Sequence, residues 1–184
     1  MSTTDGTRLP VAELLKLKLA SHDWLRLDIL VPNSVDSRSL LSAEYRGALP
    51  LPAAVGQRGR LGDLVGTFWA TVYLVSDRFK EVLEGAALSG WTTFPVAPRE
   101  RLESGLWLLG VTGRCGPVYG VDGVARAGLD PVGQYLDPDE WDGADVFLPR
   151  NRNVVLLTPE AGRVLGRARL MNVDLEPGGL EATP

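Results

Sequence analysis

The sequence predicts an α+β fold, in which a mixed sheet carries a few flanking helices and contains two related strand–helix–strand units. Short apolar runs typical of buried strands alternate with segments whose apolar residues recur at helical spacing. The stretches 72–95 and 154–177 also carry similar residues in the same order, 82 positions apart. The 184 residues suit a single domain that buries its own core.

The N-terminal third gives the weakest signals. Pro10, followed by apolar residues at helical spacing, predicts a helix over residues 10–20. A dense apolar run predicts a strand over 24–31, and the Pro, Gly and Ala content of 47–63 predicts a long connection. We therefore divide the single domain 1–184 into a poorly determined part, 1–62, and an α+β core, 63–177.

The first predicted unit begins with a buried strand at 72–75. Ser76 is a favourable N-cap residue, and apolar residues from Phe79 to Ala86 form one helical face. Glycines end the helix, and the alternating run 91–96 predicts the next strand. A further strand is predicted at 105–112, followed by turns wherever glycines punctuate residues 110–128.

The second predicted unit repeats this plan. A strand at 154–157 precedes Thr158 as the cap and Pro159 at the first helical position, and 173–175 alternates like a strand. At the offset of 82, the matched pairs are Val72/Val154, Leu74/Leu156, Ser76/Thr158, Val82/Val164, Leu83/Leu165, Ala86/Ala168, Leu88/Leu170 and Pro95/Pro177. Internal duplication and a chance likeness between two strand–helix units both explain these pairs.

Residues that carry chemistry are few. His22 is the only histidine, which excludes a histidine-based metal cluster, and a surface position suits it better than a catalytic one. Cys115 lies beside Arg114, which favours a reactive thiol, but lone cysteines are more often buried small hydrophobes. Phosphate-binding glycine loops and the hydrolase GxSxG motif are absent. We predict no catalytic residue, no cofactor and no metal.

Composition narrows the cellular setting. A single cysteine cannot form an intramolecular disulfide, and the sequence has neither a secretory signal pattern nor an apolar run long enough to span a membrane. These features predict a cytoplasmic protein. The formal net charge of −4 makes general nucleic-acid binding a poor expectation.

One constellation stands out between residues 130 and 145. No Lys or Arg lies between Arg126 and Arg150, and an aromatic residue sits among the acids. Three interpretations compete: a solvated loop, an oxygen-ligand metal site that lacks EF-hand spacing, and a surface that binds a basic protein. For the third, the predicted partner-binding residues are Asp130, Asp137, Asp139, Glu140, Trp141, Asp142 and Asp145.

Four ordered motifs resemble a known family. They are 63–66 (DLVG) with 75–83 (VSDRFKEVL), 90–96 (GWTTFPV), 141–147 (WDGADVF) and 170–175 (LMNVDL). Together, across about residues 62–177, they are similar to a largely uncharacterised bacterial family, abundant in myxobacteria, that is classed with the immunity proteins of polymorphic toxin systems. The resemblance carries over no catalytic residue.

The resemblance implies a non-enzymatic cytoplasmic protein that neutralises a cognate toxin by stoichiometric binding, with a basic nuclease as one candidate toxin. No nucleic-acid or membrane partner is expected, and a homo-oligomer is left open. An enzyme built on Asp and Glu alone, with or without a metal ion, is the alternative from another class. A structural or assembly module is the third.

Overall fold

The computed structural model describes residues 9–21, 23–120, 122–125 and 134–178. Its strands are β1 Leu9–Pro10, β2 Leu15–Leu19, β3 Arg26–Ile29, β4 Leu51–Gln57, β5 Leu64–Thr67, β6 Tyr73–Ser76, β7 Trp91–Pro98, β8 Leu106–Val111, β9 Gly113–Cys115, β10 Tyr135–Leu136, β11 Val146–Pro149, β12 Leu156–Leu157 and β13 Val173–Pro177. Its helices are α1 Ser37–Leu41, α2 Asp77–Gly85 and α3 Pro159–Ala168, with 3-10 turns at Val11–Glu13 and Pro138–Glu140. The predicted α+β fold is confirmed.

Eleven of the strands form two sheets. Six strands close a barrel in the order β3-β4-β7-β8-β6-β5, and five form a mixed sheet in the order β13-β2-β12-β11-β9. A short ladder joins β1 to β10. Within the described residues, no helix has the length and apolar character needed to cross a membrane.

The two predicted strand–helix–strand units are structurally equivalent. In the first unit β5 pairs antiparallel with β6, with Leu64 opposite Val75. In the second, β11 pairs antiparallel with β12, with Val146 opposite Leu157. Both residues of the second pair lie 82 positions after those of the first, so the ladders share one register. This shared register favours duplication over a chance likeness.

The N-caps of helices α2 and α3 are equivalent in the same way. The Ser76 hydroxyl accepts a hydrogen bond from the amide of Phe79 (3.1 Å), and the Thr158 hydroxyl accepts one from the amide of Ala161 (3.2 Å). These are N-cap bonds to the third helical residue, which satisfy an amide that the helix itself leaves without a partner. The predicted caps are therefore both confirmed.

Each unit completes its sheet with a strand from elsewhere in the chain. Strand β8 lies between β6 and β7 in the barrel, and β2 lies between β12 and β13 in the second sheet. The parallel neighbours β3 of β5 and β9 of β11 also correspond. Strand β2 belongs to the N-terminal half of the chain but lies in the sheet of the second unit. Strand β8 belongs to the C-terminal half but lies in the barrel of the first unit. The two halves of the chain are therefore interlocked.

The carboxylates of Asp63 and Asp145 form hydrogen bonds that connect the two units. Asp63 accepts hydrogen bonds from the Ser76 hydroxyl (2.7 Å) and from the amide of Met171 (2.7 Å). Asp145, 82 positions later, accepts a bond from Thr158, which caps α3, and bonds from Ser89 after α2. Each carboxylate therefore joins its own unit's helix cap to the turn that follows the other unit's helix.

The core lies between the helices and the inner faces of the sheets. Phe79 and Leu83 of α2 are buried, as are Ala161 and Leu165 of α3. They belong to one continuous cluster with the barrel strands, so both helices and both sheets share a core. A smaller cluster joins Phe147 of β11 to Leu136 of β10, Cys115 of β9 and Leu156 of β12.

Two predictions for the N-terminal third are wrong. Residues 10–20 form a single 3-10 turn and then β2, because the alternation of leucine and lysine in LKLKL also fits a strand and pairing with β12 and β13 decides the outcome. Residues 47–63 include β4, although Pro and Ala disfavour strands, since β3 and β7 pair with it on both sides.

The bridging role of Asp63 can be tested by Asp63→Asn. Asp63 is 3% exposed and also accepts a bond from Arg78 (3.1 Å), so an amide there presents a donor group to donors. We expect the free energy of unfolding to fall by about 2–3 kcal/mol in urea titrations. Asp139→Asn, at an exposed position, is the matched control and should change it little. Equal stability of the two variants would contradict the bridge.

Candidate functional site

Six of the seven predicted partner-binding residues lie in residues 137–145, here called the acidic segment. It leads from β10 through a 3-10 turn into β11. Asp137 accepts a bond from the amide of Asp139 (3.0 Å). Asp142 accepts bonds from the amides of Ala144 (3.1 Å) and Arg114 (2.7 Å). Asp130, also predicted, lies outside the described residues.

Asp145 is a structural member of the segment. Burial acts to raise the pKa of its carboxyl, but hydrogen bonds from the amide and hydroxyl of Ser89 (2.9 and 2.8 Å) and from Thr158 (3.2 Å) outweigh that effect. The pKa therefore lies below its ordinary value. Because Asp145 corresponds to Asp63, this arrangement belongs to the repeated fold.

Trp141 anchors the segment to the core. Its ring packs against Phe147 with 5.3 Å between ring centroids, and its indole N–H donates to the carbonyl of Ala144 (3.2 Å). The side chain is half-buried. Sequence reasoning weighed this anchoring role against a contact role, and the geometry favours the anchor.

Asp139 and Glu140 are the outward members of the segment. Both are exposed, and Glu140 approaches Arg150 at 3.9 Å. Within the described residues, the Asp139 carboxylate accepts no hydrogen bond. The Asp139 carboxylate is therefore available for an external partner, and that of Glu140 is available to a partner that replaces its distant contact with Arg150, whereas those of Asp137, Asp142 and Asp145 hold the backbone.

The other candidate groups differ in character. Cys115 is 4% exposed, and burial, reinforced by Asp142 and Glu140, raises the pKa of its thiol to about 12. It is therefore a protonated, unreactive thiol at neutral pH. His22 lies outside the described residues. Among the residues that the structure describes, no group of three His, Cys, Asp or Glu is arranged to hold a metal ion.

Sequence reasoning missed a cavity of about 790 Å³ on the second sheet, here called the basic cavity. Side chains from five parts of the chain line it: strand β2, helix α1, strand β6 with the turn before it, the loop between β11 and β12, and strand β13. The charged residues that line it are Lys16, Lys18, Arg38, Arg150, Arg152 and Glu176.

The loop side of the basic cavity is held by Arg38. Its guanidinium donates to the carbonyl of Arg152 (2.5 Å), the carbonyl of Pro149 (3.1 Å) and the side-chain oxygen of Asn153 (3.1 Å). Arg152 donates to Gln134 at 3.0 Å. The arginines therefore fix one another and the loop in place.

The strand side carries two lysines on one face of β2. Lys18 is exposed and forms an ion pair with Glu176 at 2.6 Å. Lys16 is 8% exposed, and in the described part of the chain its ammonium has neither a hydrogen bond nor an ion pair within 4.0 Å. Burial lowers the pKa of Lys16, against a smaller opposing effect of Glu176.

The charged residues of the basic cavity are visible in the sequence, but their convergence depends on the sheet topology. The helix predicted over residues 10–20 does not place Lys16 and Lys18 on one face, whereas the strand does. The basic run from Arg150 to Arg152 lies far away in the chain, and only the pairing of β2 with β12 brings it alongside. Comparison of the two units would have marked that loop as the divergent one.

Sequence comparison identifies no relative of this chain among protein families or curated proteins. No protein-family model matches the sequence, and no curated protein matches it significantly. The likeness to immunity proteins therefore stays a prediction from the motifs.

The role of Asp145 predicts a pH dependence. A carboxyl whose folded-state pKa lies below its ordinary 3.8 contributes stability that is complete above that value and is lost as pH falls through the folded-state pKa. Asp145→Asn should cost about 1–2 kcal/mol at pH 7, because hydrogen bonds to a charged acceptor are lost. In urea titrations, the difference from wild type should shrink below pH 3.8. A difference that stays constant down to pH 2 would contradict this role.

Proposed function

We propose that this chain is an immunity-type binding protein, which neutralises a cognate bacterial toxin in the cytoplasm by stoichiometric binding. The observation that carries the proposal is that the acidic segment is a preformed surface. Backbone bonds to Asp137 and Asp142 fix it, while Asp139 and Glu140 remain exposed on it. The ordered family-like motifs supply the biological setting.

A preformed surface suits an inhibitor. Binding loses less conformational entropy when the contacting backbone is already held in its bound form. Exposed carboxylates at the rim accelerate association with a basic partner and disfavour acidic ones. Because Trp141 is held by Phe147, the segment also keeps its shape without a partner.

The acidic segment is specific to the second half of the chain. At the offset of 82, Glu140 and Asp142 correspond to Arg58 and Arg60, whereas Asp145 corresponds to another aspartate, Asp63. The repeated fold therefore accounts for Asp145 but does not require the other acids. This divergence supports a role for Asp139 and Glu140 outside folding.

The function is tested by expressing the protein with the product of the adjacent reading frame. Rescue of growth together with a one-to-one complex is the expected result, because stoichiometric occlusion requires both. A harmless neighbour, or rescue without any complex, would contradict neutralisation by binding.

With that toxin in hand, Asp139→Lys combined with Glu140→Lys should lower the association rate constant about ten-fold or more at low salt, since it reverses the steering charge. Stopped-flow association measures this, and the effect should diminish as salt is added. The matched control combines Glu81→Lys with Glu103→Lys, two exposed positions away from the segment. Equal slowing by both pairs would show a general charge effect and contradict the site.

A further inference from the structure

We propose that the basic cavity binds the phosphate groups of a small phosphorylated molecule. This binding site is separate from the acidic segment and does not depend on the proposed toxin neutralisation. Its support comes from four independent features: charge, a buried lysine, a prearranged arginine and divergence between the two units.

The first feature is a concentration of positive charge in an acidic protein. The chain has a formal net charge of −4, yet among the described residues five cationic side chains and one carboxylate line the basic cavity. That carboxylate, Glu176, is paired with Lys18 at 2.6 Å, and Glu140, outside the lining, approaches Arg150 at 3.9 Å. The cavity therefore presents an excess of positive charge that favours an anion with more than one negative charge.

The second feature is the burial of Lys16. Its residue is 8% exposed, and its ammonium lacks a hydrogen bond or ion pair within 4.0 Å among the described residues. Its Nζ is not among the buried polar atoms that lack a partner, so the ammonium reaches solvent in the cavity while the rest of the side chain is buried. A phosphate oxygen in the cavity can therefore contact it directly, and the partial burial strengthens such a contact.

The third feature is the arrangement of Arg38. Its three hydrogen bonds go to two carbonyl oxygens and an amide oxygen, all uncharged. These bonds hold the guanidinium in place without neutralising it. A cation positioned in advance binds an anion with little further loss of side-chain entropy.

The fourth feature is that the fold does not need these charges. Leu156 in β12 pairs with Lys16, whereas the equivalent Leu74 in β6 pairs with Leu108, which is fully buried. The scaffold therefore accepts an apolar residue at the place that Lys16 occupies.

The loops diverge in the same way. Arg150 and Arg152 of the β11–β12 loop correspond, at the offset of 82, to Phe68 and Ala70 of the β5–β6 loop. At these compared positions the cationic residues therefore lie on the second sheet and its loop, where they meet in space, and the first sheet has apolar residues instead. Ligand binding explains that combination, and the shared fold does not.

The walls of the basic cavity indicate the rest of the ligand. Leu17, Tyr73 and Val154 line it beside the cations, and Thr71 adds a short polar side chain. Its volume of about 790 Å³ is within the range of small-molecule sites. A phosphorylated compound with a planar or apolar body, such as a nucleoside diphosphate, matches both the charged and the apolar parts.

The test is isothermal titration of the purified full chain with three probes: ADP, pyrophosphate and succinate. We expect ADP and pyrophosphate to bind one-to-one below about 1 mM, and more weakly as salt rises. Tighter binding of ADP than of pyrophosphate would show that the apolar wall also contributes. Succinate should bind at least about ten-fold more weakly, because its two carboxylates carry less charge at each end.

The matched variants are Lys16→Met in the cavity and Lys80→Met on α2, which change the net charge equally. Lys16→Met should weaken pyrophosphate binding about ten-fold or more while keeping the thermal midpoint, since methionine retains the side chain's shape. Lys80→Met should leave the affinity within about two-fold. The proposal is overturned if neither ADP nor pyrophosphate binds at 1 mM, if succinate binds as tightly as pyrophosphate, or if both variants weaken binding equally.

Discussion

The exchange of strands between the two halves is the constraint on which the rest of the molecule depends. Strand β2 completes the sheet of the second unit, and β8 completes that of the first. Asp63 and Asp145 reinforce the exchange, because each joins one unit's helix cap to the turn after the other unit's helix. Neither unit therefore has a complete sheet or satisfied turns without the other half.

The structural likeness between the two units also helps to distinguish residues that serve folding from residues that have another role. Where the copies agree, as at Ser76 and Thr158, a shared structural role explains both. Where they differ in charge at equivalent positions, the fold alone offers no explanation. The basic cavity and the outward part of the acidic segment are both differences of this kind, and the 3.9 Å approach of Glu140 to Arg150 places them side by side.

The sequence predicted the local structure better than the long-range pairing. The helices after Ser76 and Thr158 were predictable because caps and apolar spacing act within a few residues. Strand β2 was not, since LKLKL acquires its conformation from β12 and β13, more than 130 residues away. The same limit hid the cavity: Lys16 and Arg152 become neighbours only through that pairing. The acidic segment was visible, but which of its carboxylates hold the backbone depended on contacts with Arg114 and Ser89.

Amide hydrogen exchange of the native protein tests the interlocked architecture most directly. If β2 is an inner strand of the second sheet, the amide of Leu17, which donates to the carbonyl of Val155 (3.1 Å), should exchange only through global unfolding, as slowly as those of Leu108 and Leu109 in β8. Such protection would also mean that Lys16 lies on a fixed wall. Fast exchange of β2, with β8 still protected, would mean that the N-terminal strand opens independently, which would contradict both the strand exchange and the preformed cavity.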